Sequence, residues 1–217
     1  TALIDYVKNI KNKKYSYRFI FVPETIGSIA KIKKNLEKLK KNLLAGFVIN
    51  CVGDERNFSF VHTPSKNTFA DEIMKSSFIG ISNKTIYDFK DRSSDERQYC
   101  SPGVELPVCS FSRSKAGSKT FPEYHTSLDN FKVVTEKGLF GSFNLLKNIV
   151  DGFELILFPK SINKCEPFLT KQNLYPTLSN KNHINRELKN LLNILAYSNG
   201  KRSIFEISNT LGLDLNT

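Results

Sequence analysis

Tryptophan is absent from this 217-residue chain, methionine occurs once and histidine three times. So little histidine confines imidazole chemistry to His62, His125 and His183. Cysteine is sparse as well: Cys51, Cys100, Cys109 and Cys165 form no CxxC pair and no zinc-ribbon spacing, and they point to a reduced, cytoplasmic protein. No apolar run approaches the roughly 20 residues that span a bilayer. With a mean hydropathy of −0.32, neither a transmembrane helix nor a membrane partner is expected. The opening Thr1-Ala2-Leu3-Ile4-Asp5 lacks the basic and apolar regions of a signal peptide.

Arginine is scarce, with 7 residues against 25 lysines. The net charge of +11 is concentrated at one end, since residues 1 to 42 hold 11 basic and 3 acidic side chains. Phosphate and guanine recognition favours the planar arginine fork. The lysine excess, accompanied by 21 asparagines, therefore reads as a solvated helix face, and nucleic acid is not an expected partner. A composition of 40% hydrophobic and 24% charged residues is that of a folded globular chain.

The apolar pattern alternates between strand and helix. Tyr17-Arg18-Phe19-Ile20-Phe21-Val22-Pro23 reads as a strand buried on both faces. Ile29, Ile32, Leu36, Leu39 and Leu43 recur at steps of three and four, predicting a helix over about 25–43, and a second buried strand follows at 46–53. Strand, helix and strand make a βαβ unit with a parallel sheet and a right-handed crossover. A strand at 58–62, a helix near 67–77 and strands at 86–89 and 105–112 continue the alternation, and a helix over about 136–151 closes the unit. Residues 1–158 thus form one α/β layer domain, 159–182 have the Pro, Ser, Asn and Lys composition of a linker, and 183–217 hold helices at about 183–198 and from Ser203. Ser203-Ile204-Phe205-Glu206 has the form of a capping box. Two helices and a turn bury no full core, so this appendage is incomplete or leans on the first domain.

Four residues stand where α/β sheets place their sites. Glu24 follows the strand at 17–23, at a position suited to a general base, although a first-turn Glu stabilised by the helix dipole would also stand there. Asp54 follows the strand at 46–53 and is alternatively a turn residue. Asp95 lies in a polar loop, and His125 lies in another with Glu123 and Asp129 near it, as a metal ligand, an acid/base or simply a histidine bonded to Asp129. Convergence of these carboxylates and an imidazole on one edge is the donor chemistry of a zinc hydrolase. His62 and His183 read as surface or capping residues.

The segments Pro23-Glu24-Thr25-Ile26-Gly27-Ser28, Cys51-Val52-Gly53-Asp54-Glu55-Arg56-Asn57, Ser94-Asp95-Glu96-Arg97-Gln98-Tyr99-Cys100-Ser101-Pro102-Gly103 and Glu123-Tyr124-His125-Thr126-Ser127-Leu128-Asp129 together resemble bacterial proteins with an aminopeptidase-like domain. That group is labelled with polysaccharide biosynthesis and is related to zinc aminopeptidases. The resemblance implies a phosphorylase/hydrolase-like, three-layer α/β/α sandwich with a mostly parallel sheet. It implies zinc, with His125 as a late metal ligand, Glu24 at the catalytic carboxylate position and Asp54 or Asp95 as the intervening acid. It also implies a partial winged-helix element in the C-terminal helices. Zinc aminopeptidases place a His and a bridging Asp upstream of the catalytic Glu, whereas the residues before Glu24 contain no histidine, so the chain reads as a C-terminal fragment with an incomplete metal site. The expected activity is metal-dependent hydrolysis of a peptide or an amide-containing small substrate. The alternative is a non-catalytic, peptidase-like binding or regulatory module whose C-terminal helices contact a protein partner.

Overall fold

A computed structural model describes residues 1–155, 157–172 and 186–215. Helix α1 (Ala2–Asn9) and helix α2 (Ile26–Asn42) precede strand β1 (Gly46–Ile49). Strand β2 (Phe58–Val61), helix α3 (Phe69–Ser77), strand β3 (Lys84–Tyr87), the short helix α4 (Glu96–Tyr99) and strand β4 (Val108–Ser112) follow. Helix α5 (Glu136–Glu154) closes the α/β region, and α6 (Arg186–Tyr197) and α7 (Ile204–Leu211) lie beyond it.

The four strands form one sheet in the order β1-β4-β2-β3. β1 runs parallel to β4, from Gly46 opposite Val108 to Ile49 opposite Phe111, and β2 runs parallel to β3. β2 and β4 are antiparallel, with Phe60 opposite Phe111. The sheet is therefore mixed, because β2 and β3 run against the other two strands.

Strand periodicity divides the core between two sheet faces. Phe47, Phe58, Phe60, Cys109 and Phe111 share the larger cluster with Ile73, Met74 and Phe78 of α3 and its flank and with Leu145, Ile149 and Phe153 of α5. Val48 and Val108 belong instead to a smaller cluster with Leu39 and Leu43 from α2 and its end, and with Tyr99 and Cys100. Edge-to-face ring pairs tie Phe60 to Phe78 and Phe78 to Phe111 across the larger cluster. The amphipathic reading of α2 holds at Ile32 and Leu39, which are buried, and fails at Ile29, which is exposed.

The expected strand at 17–23 is not formed. Among the described residues, no backbone group of residues 18–22 hydrogen-bonds to another residue, and a strand requires a neighbour to complete its ladder. The first βαβ unit is accordingly absent. The strand expected at 46–53 ends at Ile49, since Cys51 adopts a positive φ of 45° that breaks the extended run. Helix α1 has no counterpart in the sequence reading, and neither does α4, which lies in the polar stretch before β4. The helix expected from residue 183 is seen from Arg186, and His183 lies outside the described residues.

The C-terminal helices lean on the α/β region. Phe205 of α7 is fully buried, against Phe69 and Phe153, and sits over Gly152, where an added Cβ would come within 2.9 Å of the ring. Ser203 caps α7 by accepting from the Glu206 backbone N–H, and its own hydroxyl donates to Glu72 of α3 at 2.8 Å. Asn209 donates to the Glu72 carbonyl, and the Ile204 N–H to the Leu157 carbonyl. Because Phe205 belongs to the main cluster, Phe205→Ala should destabilise the whole chain by about 3–5 kcal/mol and leave one cooperative transition. Calorimetry that resolved two transitions, with only the smaller one shifted, would show instead that the C-terminal helices fold independently.

Candidate active-site edge

Three loop segments approach one another at the carboxyl ends of β1 and β4: residues 50–57 after β1, and residues 113–116 and 120–125, both after β4. The loop after β1 is fixed by α5. The Thr135 N–H donates to the Gly53 carbonyl at 2.9 Å, and Gly138, in the first turn of α5, lies so close that a Cβ there would stand 1.9 Å from the same oxygen. Asp54 is thereby held with Oδ1 accepting from the Arg56 N–H and the Ser114 hydroxyl, and Oδ2 from the Ser114 N–H, at 2.8 to 2.9 Å. Arg56 reaches in turn to the third loop. Its two terminal nitrogens grip the Glu123 oxygens at 2.7 Å each, and one also donates to the Thr120 carbonyl. This two-pronged pair holds Glu123 below the usual carboxylate range and anchors the Pro122-Glu123-Tyr124-His125 turn.

Asp95 has a different occupation. Its Oδ1 accepts from the Thr25 N–H at 2.7 Å and its Oδ2 from the Ser28 hydroxyl at 2.5 Å, so it caps the start of α2 from a separate loop. Glu24 next to it is largely exposed, accepts from the Ser94 hydroxyl at 3.3 Å and pairs with Arg97 at 3.5 Å. His125 is exposed, stacks on Tyr124 with ring centres 3.9 Å apart and does not bond Asp129. The third loop lies within electrostatic reach of the others. Burial and then the charges of Cys51 and Glu24 raise the Tyr124 phenol, against the opposing pull of Arg97. Burial, followed by the charges of Asp129, Asp54 and Glu24, pushes the Cys51 thiol up to about 11.

All four expected residues thus lie at one sheet edge, but they do not form one cluster of donors. Asp54 and Asp95 are buried and bound to backbone and hydroxyl donors of the protein, while Glu24 and His125 face outward. Among the described residues, no group of three or more His, Cys, Asp or Glu side chains is placed to hold a metal ion. Of the six non-glycine residues with positive φ among the described residues, three, Thr25, Cys51 and His125, stand at this edge. Such strain collects where loops are held for a function.

Two features escape the sequence reading. His62 is buried and bonds through Nδ1 to Asp71 at 2.8 Å, and Asp71 also accepts from Thr63 and Thr68 and forms the capping box of α3. Burial opposes ionisation of Asp71, but the bonds from His62, Thr63 and Thr68 outweigh it and hold the carboxyl far below its usual range. Arg113 is buried, stacks 3.6 Å over the Phe58 ring and approaches Gly141 of α5, and burial lowers its pKa. The Thr68-x-x-Asp71 spacing of a capping box was legible locally, but the bonds of His62 and Thr63 to Asp71 and the stacking of Arg113 on Phe58 join different elements and carry no local signal.

Comparison with known proteins places the chain in a family. Residues 1–155 match the model of a domain of unknown function, DUF4910. The chain belongs to this family. Residues 158–217 match a winged helix-turn-helix model. The chain is 34% identical, over 98% of its length, to a Clostridium acetobutylicum protein provisionally named a polysaccharide biosynthesis protein with aminopeptidase-like domain. A crystal structure of a provisionally named peptidase from Clostridium acetobutylicum superposes with a TM-score of 0.80 at 33% identity, over 99% of this DUF4910 chain. The chain spans about half the length of both, 49% of the former and 48% of the latter. The expected resemblance to aminopeptidase-like proteins is thus seen along the whole chain. No helix among the described residues is long and apolar enough to cross a membrane.

The Asp71 network makes a pH prediction. A depressed folded-state pKa contributes stability that is complete above the unfolded value of about 4 and is lost as pH falls through the folded value. The stability difference between the parent and Asp71→Asn should therefore be largest near pH 7 and shrink steadily below about pH 4, as measured by urea midpoints. A difference that stayed constant from pH 7 to pH 3 would refute the ionised network. At pH 8, iodoacetamide should label exposed Cys165 well before Cys51, Cys100 or Cys109, all raised by burial.

Proposed function

We propose that this DUF4910 chain is a peptidase-like hydrolase domain that acts on a peptide or amide-containing small substrate at the edge formed by Glu24, Tyr124 and His125. The observation that carries this reading is the occupancy of the four candidates. Glu24 and His125 leave their functional atoms open to solvent at an edge built from strained loops, and the relatives that match the chain throughout are named as aminopeptidase-like or peptidase. Helical clusters on both sheet faces support the three-layer, phosphorylase/hydrolase-like arrangement. In this reading Glu24 is the general base that accepts the proton of the attacking water, with Arg97 and Ser94 orienting its carboxylate.

The expected zinc does not fit the four residues as a set. Asp54 spends three of its roughly four acceptor positions on Arg56 and Ser114, and Asp95 is consumed in capping α2, so Glu24 and His125 alone remain as donors. A centre that used them would need ligands beyond these. The same occupancy favours a second reading, a non-catalytic module that keeps the peptidase scaffold and binds a protein through its C-terminal helices. DNA binding is disfavoured because α7 has no Arg or Lys and packs its buried face on α3.

Glu24→Gln should lower hydrolysis of an aminoacyl p-nitroanilide by about 100-fold or more at unchanged melting temperature, the scale of lost general-base catalysis. Asp54→Asn should lower the melting temperature. Zinc measured by inductively coupled plasma should stay well below one per chain and fall further in His125→Ala. No hydrolysis by the parent chain, or full activity in Glu24→Gln, would discard this reading in favour of the binding module.

A further inference from the structure

The segment of residues 17–23 has the composition of an interior strand but lies outside the sheet. Tyr17 anchors one end on Glu154 at 2.6 Å and Thr25 anchors the other on Asp95 at 2.7 Å, yet the backbone of residues 18–22 bonds to no described residue. Phe21 is 79% exposed, and Ile26 and Ile29 in the helix that follows are also exposed, at 76% and 47%. Among the described residues, strand β1 pairs with β4 alone, and its other edge ends in Ile49, 44% exposed. An open backbone row beside exposed large apolar side chains is a template for strand pairing.

We infer that residues 17–23, with that edge of β1, are the seat of a β-strand supplied by the additional half that the longer relatives carry. The chain covers about half of each relative that it matches from end to end, so some 200 residues of those proteins have no counterpart here, and a strand of apolar, β-branched composition is the partner this surface fits. Arg18 is the one charged residue of this segment, and the four residues after it, Phe19 to Val22, are apolar and exposed, which suits an interior sheet contact more than a polar ligand. The inference is independent of whether the edge catalyses hydrolysis.

Hydrogen exchange tests it on the 217-residue chain and on a fusion of that chain with the additional half of the Clostridium acetobutylicum relative, joined in the relative's order. Amides of residues 18–22 and the outward amides of β1 should exchange about tenfold or more slowly in the fusion, while those of β4, already protected, report that the sheet is intact in both. Equal exchange at residues 18–22 in the two proteins overturns the inference. In the 217-residue chain by itself, Phe21→Asp and Ile26→Asp should leave the melting temperature unchanged. A drop of several degrees would show the patch already covered from within and would also overturn it. So would protection of residues 18–22 that rises with concentration in the chain alone, since the occupant would then be a second copy.

Discussion

The approach of α5 to the loop after β1 is the constraint on which the candidate site depends. Gly138 lies against the Gly53 carbonyl at a distance no side chain would permit, and the Thr135 N–H closes a hydrogen bond to the same oxygen. This contact fixes the backbone that leads into Asp54. Asp54 then fixes Ser114 after β4, and Arg56 fixes Glu123 in the loop that carries His125. One close packing of backbone on backbone is thus relayed through two acidic residues to an imidazole 72 positions downstream of Gly53.

A buried carboxylate must find donors, and the identity of those donors decides what chemistry it retains. Asp54 and Asp95 find theirs in N–H and hydroxyl groups of their own fold, which is why both are structural clamps. Asp71 does the same more completely, with His62, Thr63 and Thr68 around it. Glu24 is treated differently: its exposed carboxylate meets a hydroxyl at 3.3 Å and a guanidinium at 3.5 Å, contacts that orient it at little energetic cost and leave it accessible. The division between committed and open carboxylates, at one edge, separates residues bound into the fold from the one carboxylate of the four candidates that stays accessible.

Periodicity made the long helices legible, because α2 from Ile32 onward and α5 beyond its exposed Leu139 bury their stripes and side-chain spacing records that burial directly. Strands β2 and β4 were legible as apolar runs, but their opposed directions were not, since an apolar run carries no arrow. Residues 17–23 read as a strand for a sound local reason and remain outside the sheet because a ladder is a property of two segments. Strand-end reasoning located Asp54 after β1, but it placed Glu24 at the end of a strand that does not form, and Asp95 and His125 entered as loop residues and through resemblance. Their occupations did not, since capping by Asp95 at Thr25 and Ser28 joins residues some 70 positions apart.

Strain adds an argument about the site that hydrogen bonds alone do not make. Thr25, Cys51 and His125 hold φ values of 65°, 45° and 61°, and Thr25 is β-branched, the kind of residue for which this region costs most. A cost on the order of 1–3 kcal/mol each is large beside the stability of a domain this size. Thr25 keeps its conformation because Asp95 holds its N–H, and the bond from the Arg113 N–H to the Cys51 carbonyl holds the loop after β1. His125 has the stacking on Tyr124 and the Arg56–Glu123 anchor two residues before it. The bonds that satisfy Asp95 and Glu123 therefore also sustain the unfavourable backbone on either side of Glu24 and His125. Asp71 shows that this fold also commits a carboxylate to packing alone; what distinguishes the edge is that its committed carboxylates sustain positive-φ backbone beside the two candidate groups left open, Glu24 and His125.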